Sequence, residues 1–165
     1  MRIAIALGAA AALLLSGCAF AAEEHDKGES KEEMALKHRQ AAPKDAEIDA
    51  SVTLGTMLEK KDKGAFGAGK AARVSGTVVQ VETEEDGDVH MTLAPKGKES
   101  DTSQWVIVEV PPAWQKQDKS LAAAALKEHR GKQVTVTGWL YYEPDDEHGD
   151  PRGTMWELHP VTSVK

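Results

Sequence analysis

The sequence predicts an all-β domain with one helix, and three observations support this fold class. After residue 70, hydropathy alternates with a period of two in several segments, which is typical of strands with one buried face. One alanine-rich helical segment lies between the third and fourth of these segments. The first and fourth segments contain Gly76 and Gly138, where barrel strands can bend sharply. These features favour a small barrel, with a mixed sheet capped by one helix as the alternative.

The strands follow from runs of Val, Thr and aromatic residues and from the turn residues between them. The acidic turn 84–87 separates the first two strands, and Pro111 and Pro112 end the third. In the second strand, apolar and polar residues alternate, so Asp88 and His90 are expected to point away from the buried face. The strands are predicted at residues 72–83, 88–94, 105–110, 133–142 and 154–164.

The helix is predicted over residues 118–130. Asp118 or Ser120 provides a start signal, four consecutive alanines favour the helical conformation, and Gly131 ends the segment. Ahead of the barrel, residues 48–70 are predicted to form an extended arm or a short helix, followed by a glycine-rich loop.

The order of three strands, one helix and two strands resembles the OB-fold. This resemblance implies a five-stranded, partly open Greek-key barrel with the helix between strands 3 and 4. It covers residues 71–165 of the chain.

The first residues have the layout of an export signal. Residues 1–18 carry one positive charge, a short apolar stretch and small residues at the end. Leu15-Ser16-Gly17-Cys18 resembles a bacterial lipobox, which implies cleavage before Cys18 and lipidation of its thiol. The alternative is ordinary cleavage after Ala21. Both interpretations place the protein outside the cytoplasm, either lipid-anchored on the periplasmic side of the cell envelope or secreted, with residues 19–47 as a charged tether.

Two pairs of acidic and imidazole side chains are predicted on the outer surface of the barrel. One pair comes from the second strand and the other from the fifth, where polar residues alternate with apolar ones. We expect the second and fifth strands both to flank the first, which would bring the pairs onto neighbouring parts of the wall. With one residue from the third strand and one from the last loop, the candidate set is Asp88, His90, Glu109, His148, Glu157 and His159.

Carboxylate oxygens and imidazole nitrogens are ligands that Zn²⁺, Cu²⁺ and Ni²⁺ accept readily, so this set is a candidate metal site. The alternative is structural, because a partly buried His beside a Glu often forms a hydrogen bond that fixes a strand end. Pro160, directly after His159, removes a ladder donor and indicates an edge or a bulge where the barrel closes.

Three short motifs contain most of this set. Residues 87–90 read G-D-x-H, residues 109–111 read E-x-P, and residues 157–161 read E-x-H-P-V. The three together resemble a group of secreted bacterial proteins of uncharacterised function. The resemblance implies no activity, but it indicates that these residues belong together.

The fourth strand has an aromatic face with Trp139 and Tyr141, which could stack on bases or sugars. The two loops that would flank such a ligand carry ten carboxylates against Arg152 alone, and the chain has a net charge of −7. This field opposes phosphate binding, so a packing role, a protein partner or a glycan is favoured over nucleic acid.

The sequence therefore predicts a binding module of the cell envelope rather than an enzyme, since it contains no recognisable catalytic motif. Its ligand is unknown, and a divalent metal ion such as Zn²⁺ or Cu²⁺ is one candidate. An envelope protein is a further candidate partner. The alternative is a structural or protein-interaction module without a ligand, and the third hypothesis is a nucleic-acid-binding OB domain.

Overall fold

The computed structural model describes residues 30–67, 69–143, 149 and 151–165. The predicted lipidation site Cys18 and the predicted ligand His148 lie outside these residues. The strands are β1 (Ala71–Thr83), β2 (Val89–Ala94), β3 (Val106–Val110), β4 (Gln133–Tyr142) and β5 (Trp156–Val164). The α-helices are α1 (Lys31–Lys37), α2 (Leu54–Glu59), α3 (Pro112–Gln117) and α4 (Ala123–Lys127).

The five strands form a closed barrel in the order β1-β2-β3-β5-β4. All neighbouring strands are antiparallel except β3 and β5, which are parallel. This closed, mixed barrel confirms the predicted all-β, OB-like fold. The expectation that the fifth strand flanks the first was wrong, because β4 occupies that position and β5 pairs with β3 and β4 instead.

The single helix predicted over residues 118–130 was also wrong in detail. The connection between β3 and β4 contains α3, a 3₁₀ turn at Lys119–Leu121 and α4. Asp118 and Ala122 both have extended backbone angles, which break the helix twice. The carboxylate of Asp118 accepts from the Ser120 backbone at 2.9 Å, and the turn buries Leu121 against the barrel. Asp118 therefore does act as a cap, but the segment that it caps is a single 3₁₀ turn rather than a long helix.

The core is filled by the strand residues that the alternation assigned to the buried face. Val89, Met91 and Leu93 of β2 belong to it, together with Trp156 and Leu158 of β5. The phase of both strands is therefore as predicted, which places their alternate residues on the outside of the barrel wall.

Gly138 and Pro160 face each other where the barrel closes. The β4–β5 ladder shifts register on both sides of Gly138, as expected for a proline that cannot donate to the ladder. A Cβ on Gly138 would lie only 2.9 Å from the carbonyl oxygen of Pro160. The peptide bond between His159 and Pro160 is cis.

Residues 30–47, which we call the strap, lie against the outside of the barrel. Helix α1 packs on β4 and β5, and two tryptophans hold the chain that follows it. Trp114 Nε1 donates to the carbonyl oxygen of Arg39 at 2.8 Å, and Trp139 Nε1 donates to that of Ala41 at 3.0 Å. None of the helices in the described ranges has the length and apolar character needed to cross a bilayer.

Candidate metal site

Strands β2, β3 and β5, together with the residue directly before β2, bring five of the predicted residues together. His90 lies directly opposite Glu109 in the β2–β3 ladder. On the other side of β3, Val108 pairs with Leu158, and both point into the core. Glu109 and His159, each one residue further along, consequently lie side by side on the outer face. Strand β3 is therefore the centre of the site, and β1 is not needed to connect the two pairs.

His159 lies among three carboxylates. Its Nδ1 is 2.7 Å from Glu109 Oε2 and 3.4 Å from Glu157 Oε1, and its Nε2 is 3.4 Å from Asp88 Oδ2. Neither ring nitrogen of His159 makes a correctly aligned hydrogen bond despite these short distances. His90 completes the group, because its Nε2 is 3.2 Å from the other oxygen of Glu109.

The alternation predicted a solvated surface here, but all five side chains are buried. Glu157 is only 1% exposed and His159 is 4% exposed. Helix α1 and α3 both pack on β5 and cover this face. The Gln115 side chain of α3 also donates to the carbonyl oxygens of Gly87 and Val110, at 2.9 and 2.8 Å, which fixes the turn before Asp88 to the end of β3.

Burial and close charges shift the pKa values within the group. Burial raises the pKa of Asp88 to about 6, although the His159 charge partly opposes this rise. Burial also raises the pKa of Glu157 to about 7, with a further contribution from the charge of Glu109. Burial opposes ionisation of Glu109, but the nearby imidazoles His159 and His90 outweigh it and lower the Glu109 pKa to about 2.

His159 is the cation of the group. Burial alone would lower its pKa, but the negative charges of Glu109 and Glu157 raise it to about 10. At neutral pH, the metal-free cluster therefore contains an imidazolium beside an ionised Glu109. A metal ion that bound His159 would replace this proton, because only the neutral imidazole has a free electron pair.

The geometry of three residues fits a bound ion. Asp88, Glu109 and His159 each offer a ligand atom, and these atoms all lie within 4.8 Å of one another. Ligands about 2.0–2.2 Å from a metal are typically separated by about 3–4 Å from each other, so a modest contraction would close the site. One nitrogen and two oxygens match the ligand preferences of Zn²⁺ and Cu²⁺. Glu157 lies beside the same imidazole and could supply a further oxygen.

Two cations beside the group were not assigned to it from the sequence. Arg152 Nη1 is 3.3 Å from Glu157 Oε2, and its side chain is buried. Lys37 Nζ, at the end of α1, is 2.8 Å from Glu143 Oε2 and 5.1 Å from the centre of the Tyr141 ring. In the sequence, Arg152 was noted only as the single basic residue of an acidic loop. Lys37 carried no local signal, because it is distant in sequence from every other member.

The predicted aromatic face is covered by the strap. The Arg39 guanidinium stacks over the Trp139 ring at 3.9 Å, and both Trp139 and Tyr141 are buried. The Tyr141 ring centre is 6.1 Å from that of His159, edge to face. In this conformation the aromatic residues therefore make contacts within the chain and adjoin the acidic cluster.

No protein-family model matches this chain, and no curated protein matches it significantly. The function proposed below therefore depends on the geometry of the cluster and on the sequence motifs.

Proposed function

We propose that this protein is a binding module of the bacterial cell envelope that holds a divalent metal ion through Asp88, Glu109 and His159. The observation that supports this best is the convergence of their ligand atoms within 4.8 Å, around an imidazole whose buried nitrogens have no aligned hydrogen bond. Buried polar atoms in native proteins normally have such partners, so this arrangement needs an explanation. A metal bond to one nitrogen would provide it.

The surrounding residues suit the support of a metal ligand. Carboxylates that contact the second nitrogen of a ligating histidine fix its ring orientation and raise its basicity. Glu109 and Glu157 both lie next to Nδ1 of His159, while Asp88 lies next to Nε2. An ion bound at Nε2, with Asp88 and Glu109 as its other ligands, would leave Nδ1 beside the carboxylate of Glu157. Arg152 in turn neutralises part of the charge on Glu157.

The cellular location in this proposal is supported by the sequence alone. The export signal and lipobox ending at Cys18 favour a lipid anchor in the bacterial envelope, with the barrel outside the cytoplasm. The three motifs also agree with the site, because their Asp, His and Glu residues are the ones that cluster. The resemblance to secreted proteins is thus consistent with a shared binding site.

A structural role is the second candidate, and one observation favours it. The His159 imidazolium already lies within 3.4 Å of carboxylate oxygens of Glu109 on β3 and of Asp88 just before β2. Such ion pairs could hold the strands in register without a ligand.

Thermal unfolding with added Zn²⁺ or Cu²⁺ distinguishes the two functions. A metal that binds only the folded chain raises its melting temperature, by an amount that depends on ligand concentration. We expect this rise for the natural chain and its loss in His159→Gln. His129→Gln, which alters a histidine beyond α4, is the matched control and should keep the response. A natural chain that shows no metal response while His159→Gln is strongly destabilised would identify the cluster as structural.

A further inference from the structure

The acidic cluster lies beside a lysine that belongs to a different part of the chain. Lys37 is the last residue of α1, and its ammonium group contacts Glu143 and the Tyr141 ring. Tyr141 lies directly against His159. A single aromatic ring therefore separates the ammonium group of Lys37 from the imidazole of His159. The Lys37 side chain is only 13% exposed, which limits screening by solvent.

The strap holds Lys37 in this position through contacts that are independent of the cluster. The guanidinium of Arg39 stacks on Trp139, and the indole groups of Trp114 and Trp139 donate to strap carbonyls. Further along, Asp49 N donates to the carbonyl oxygen of Ala71 at 2.8 Å and ties the following segment to β1. Docking of the strap thus brings a fixed positive charge to the edge of the proposed metal site.

We propose that Lys37 is a built-in competitor of the metal ion, so that docking of the strap and binding of a divalent cation oppose each other. This inference rests on the proposed function. Lys37 places a positive charge next to the site, and this charge repels a divalent cation where solvent screens poorly. Such coupling is reciprocal, so a bound ion must also weaken docking of the strap. The strap thereby sets the affinity of the site.

The experiment is calorimetric titration of the full chain with Zn²⁺ at fixed pH and ionic strength. Lys37→Gln removes the charge and is expected to bind Zn²⁺ about tenfold more tightly, because one like charge beside a divalent ion is lost. Lys37→Arg keeps the charge and should bind as the natural chain does. Lys127→Gln makes the same charge change at an exposed position on α4 and should have no effect.

Arg39→Ala tests the coupling to the strap, since it removes the stack on Trp139 without altering the cluster. We expect it to tighten Zn²⁺ binding, and to have little further effect in the Lys37→Gln background. Zn²⁺ should also increase amide hydrogen exchange in residues 31–41 of the natural chain. Absence of that increase, with equal affinities for all variants, would overturn the antagonism.

The outcomes separate this inference from the proposed function. If the natural chain and Lys37→Gln bind Zn²⁺ equally, the metal site stands and the role of Lys37 is overturned. If Lys37→Arg tightens binding as much as Lys37→Gln, the effect comes from packing and the proposed competition is also overturned. If no variant binds Zn²⁺, the metal site falls and this inference falls with it. Binding by Lys37→Gln alone would support both.

Discussion

His159 Nδ1 lies 2.7 Å from Glu109 Oε2, and both side chains are buried on the outer face of the parallel strands β3 and β5. The pair joins the only two parallel strands among the named ladders of the described residues. Its charges are compensated mainly by each other, because burial has removed most of the water. Loss of either member therefore leaves the other buried without its closest opposite charge.

Glu109→Gln should lower the free energy of unfolding by about 3 kcal/mol in the metal-free chain, because a buried cation loses its closest counter-charge. Urea unfolding followed by tryptophan fluorescence measures this change. Glu128→Gln, at an exposed position directly after α4, is the control and should change stability little. Equal stability of the two variants would contradict a buried ion pair at this position.

The stability of the metal-free chain should depend on pH through His159. Its pKa is raised from 6.5 to about 10 in the folded state, so the folded chain binds this proton more tightly than the unfolded chain does. The contribution is fully present below pH 6.5 and is lost as the pH rises towards 10. His159→Gln should flatten this decline. Urea unfolding at a series of pH values checks it, and parallel curves for both chains would contradict the assignment.

Binding of Zn²⁺ should release a proton at neutral pH. The imidazole of His159 carries this proton in the free chain and must lose it to bind a metal. Calorimetry in two buffers of different ionisation enthalpy gives the number of protons released, and the affinity should rise with pH. An affinity that does not change between pH 6 and pH 8, with no proton release, would exclude His159 as a ligand.

Trp114→Phe should loosen the strap selectively, because it removes the indole donor to Arg39 O at 2.8 Å. The expected cost is about 1 kcal/mol, concentrated in the strap. Hydrogen exchange of residues 31–41 should accelerate while the barrel strands stay protected. Trp105→Phe removes a similar indole hydrogen bond, to Glu99 O at 3.0 Å, and should leave the strap unchanged. Equal exchange in both variants would show that Trp114 does not hold the strap.

Gly138→Ala should destabilise the barrel by about 1–3 kcal/mol. The added Cβ would lie 2.9 Å from the Pro160 carbonyl oxygen and 3.0 Å from Leu158 Cβ, which is tighter than packed atoms tolerate. Gly64→Ala, which meets no atom within 4 Å, is the matched control. Denaturant midpoints of both variants measure the difference, and a neutral Gly138→Ala would mean that the two strands separate easily.

Most of the fold could be predicted because strand alternation is local information. The phase of β2 and β5 follows from residues next to one another, and it correctly placed His90 and His159 on the outer face. The neighbours of each strand depend on long-range pairing, which is why β5 was assigned to the wrong partner. The prediction for the connection between β3 and β4 was wrong for a different reason. A side chain such as that of Asp118 can cap either a single turn or a full helix.

The sequence predicted which residues lie together in the candidate site, but it did not predict that their side chains would be buried. Alternation cannot distinguish an outer face in water from an outer face under a helix, so the burial of Glu157 was missed. What covers this face includes α1, whose sequence is mostly charged and has only Met34 and Leu36 as large apolar side chains. The docking of that segment depends on indole hydrogen bonds and a cation over a ring, which leave no periodic pattern in the sequence.

The parallel pairing of β3 with β5 has a consequence for the order of assembly. Glu109 and His159 are 50 residues apart, and His159 belongs to the final strand of the barrel. An emerging or partly folded chain therefore lacks the complete set of proposed ligands, so under the proposed function a metal would bind only after the last hairpin has docked. If the chain also crosses a membrane unfolded, the proposed site would take its ion from the compartment in which the chain folds.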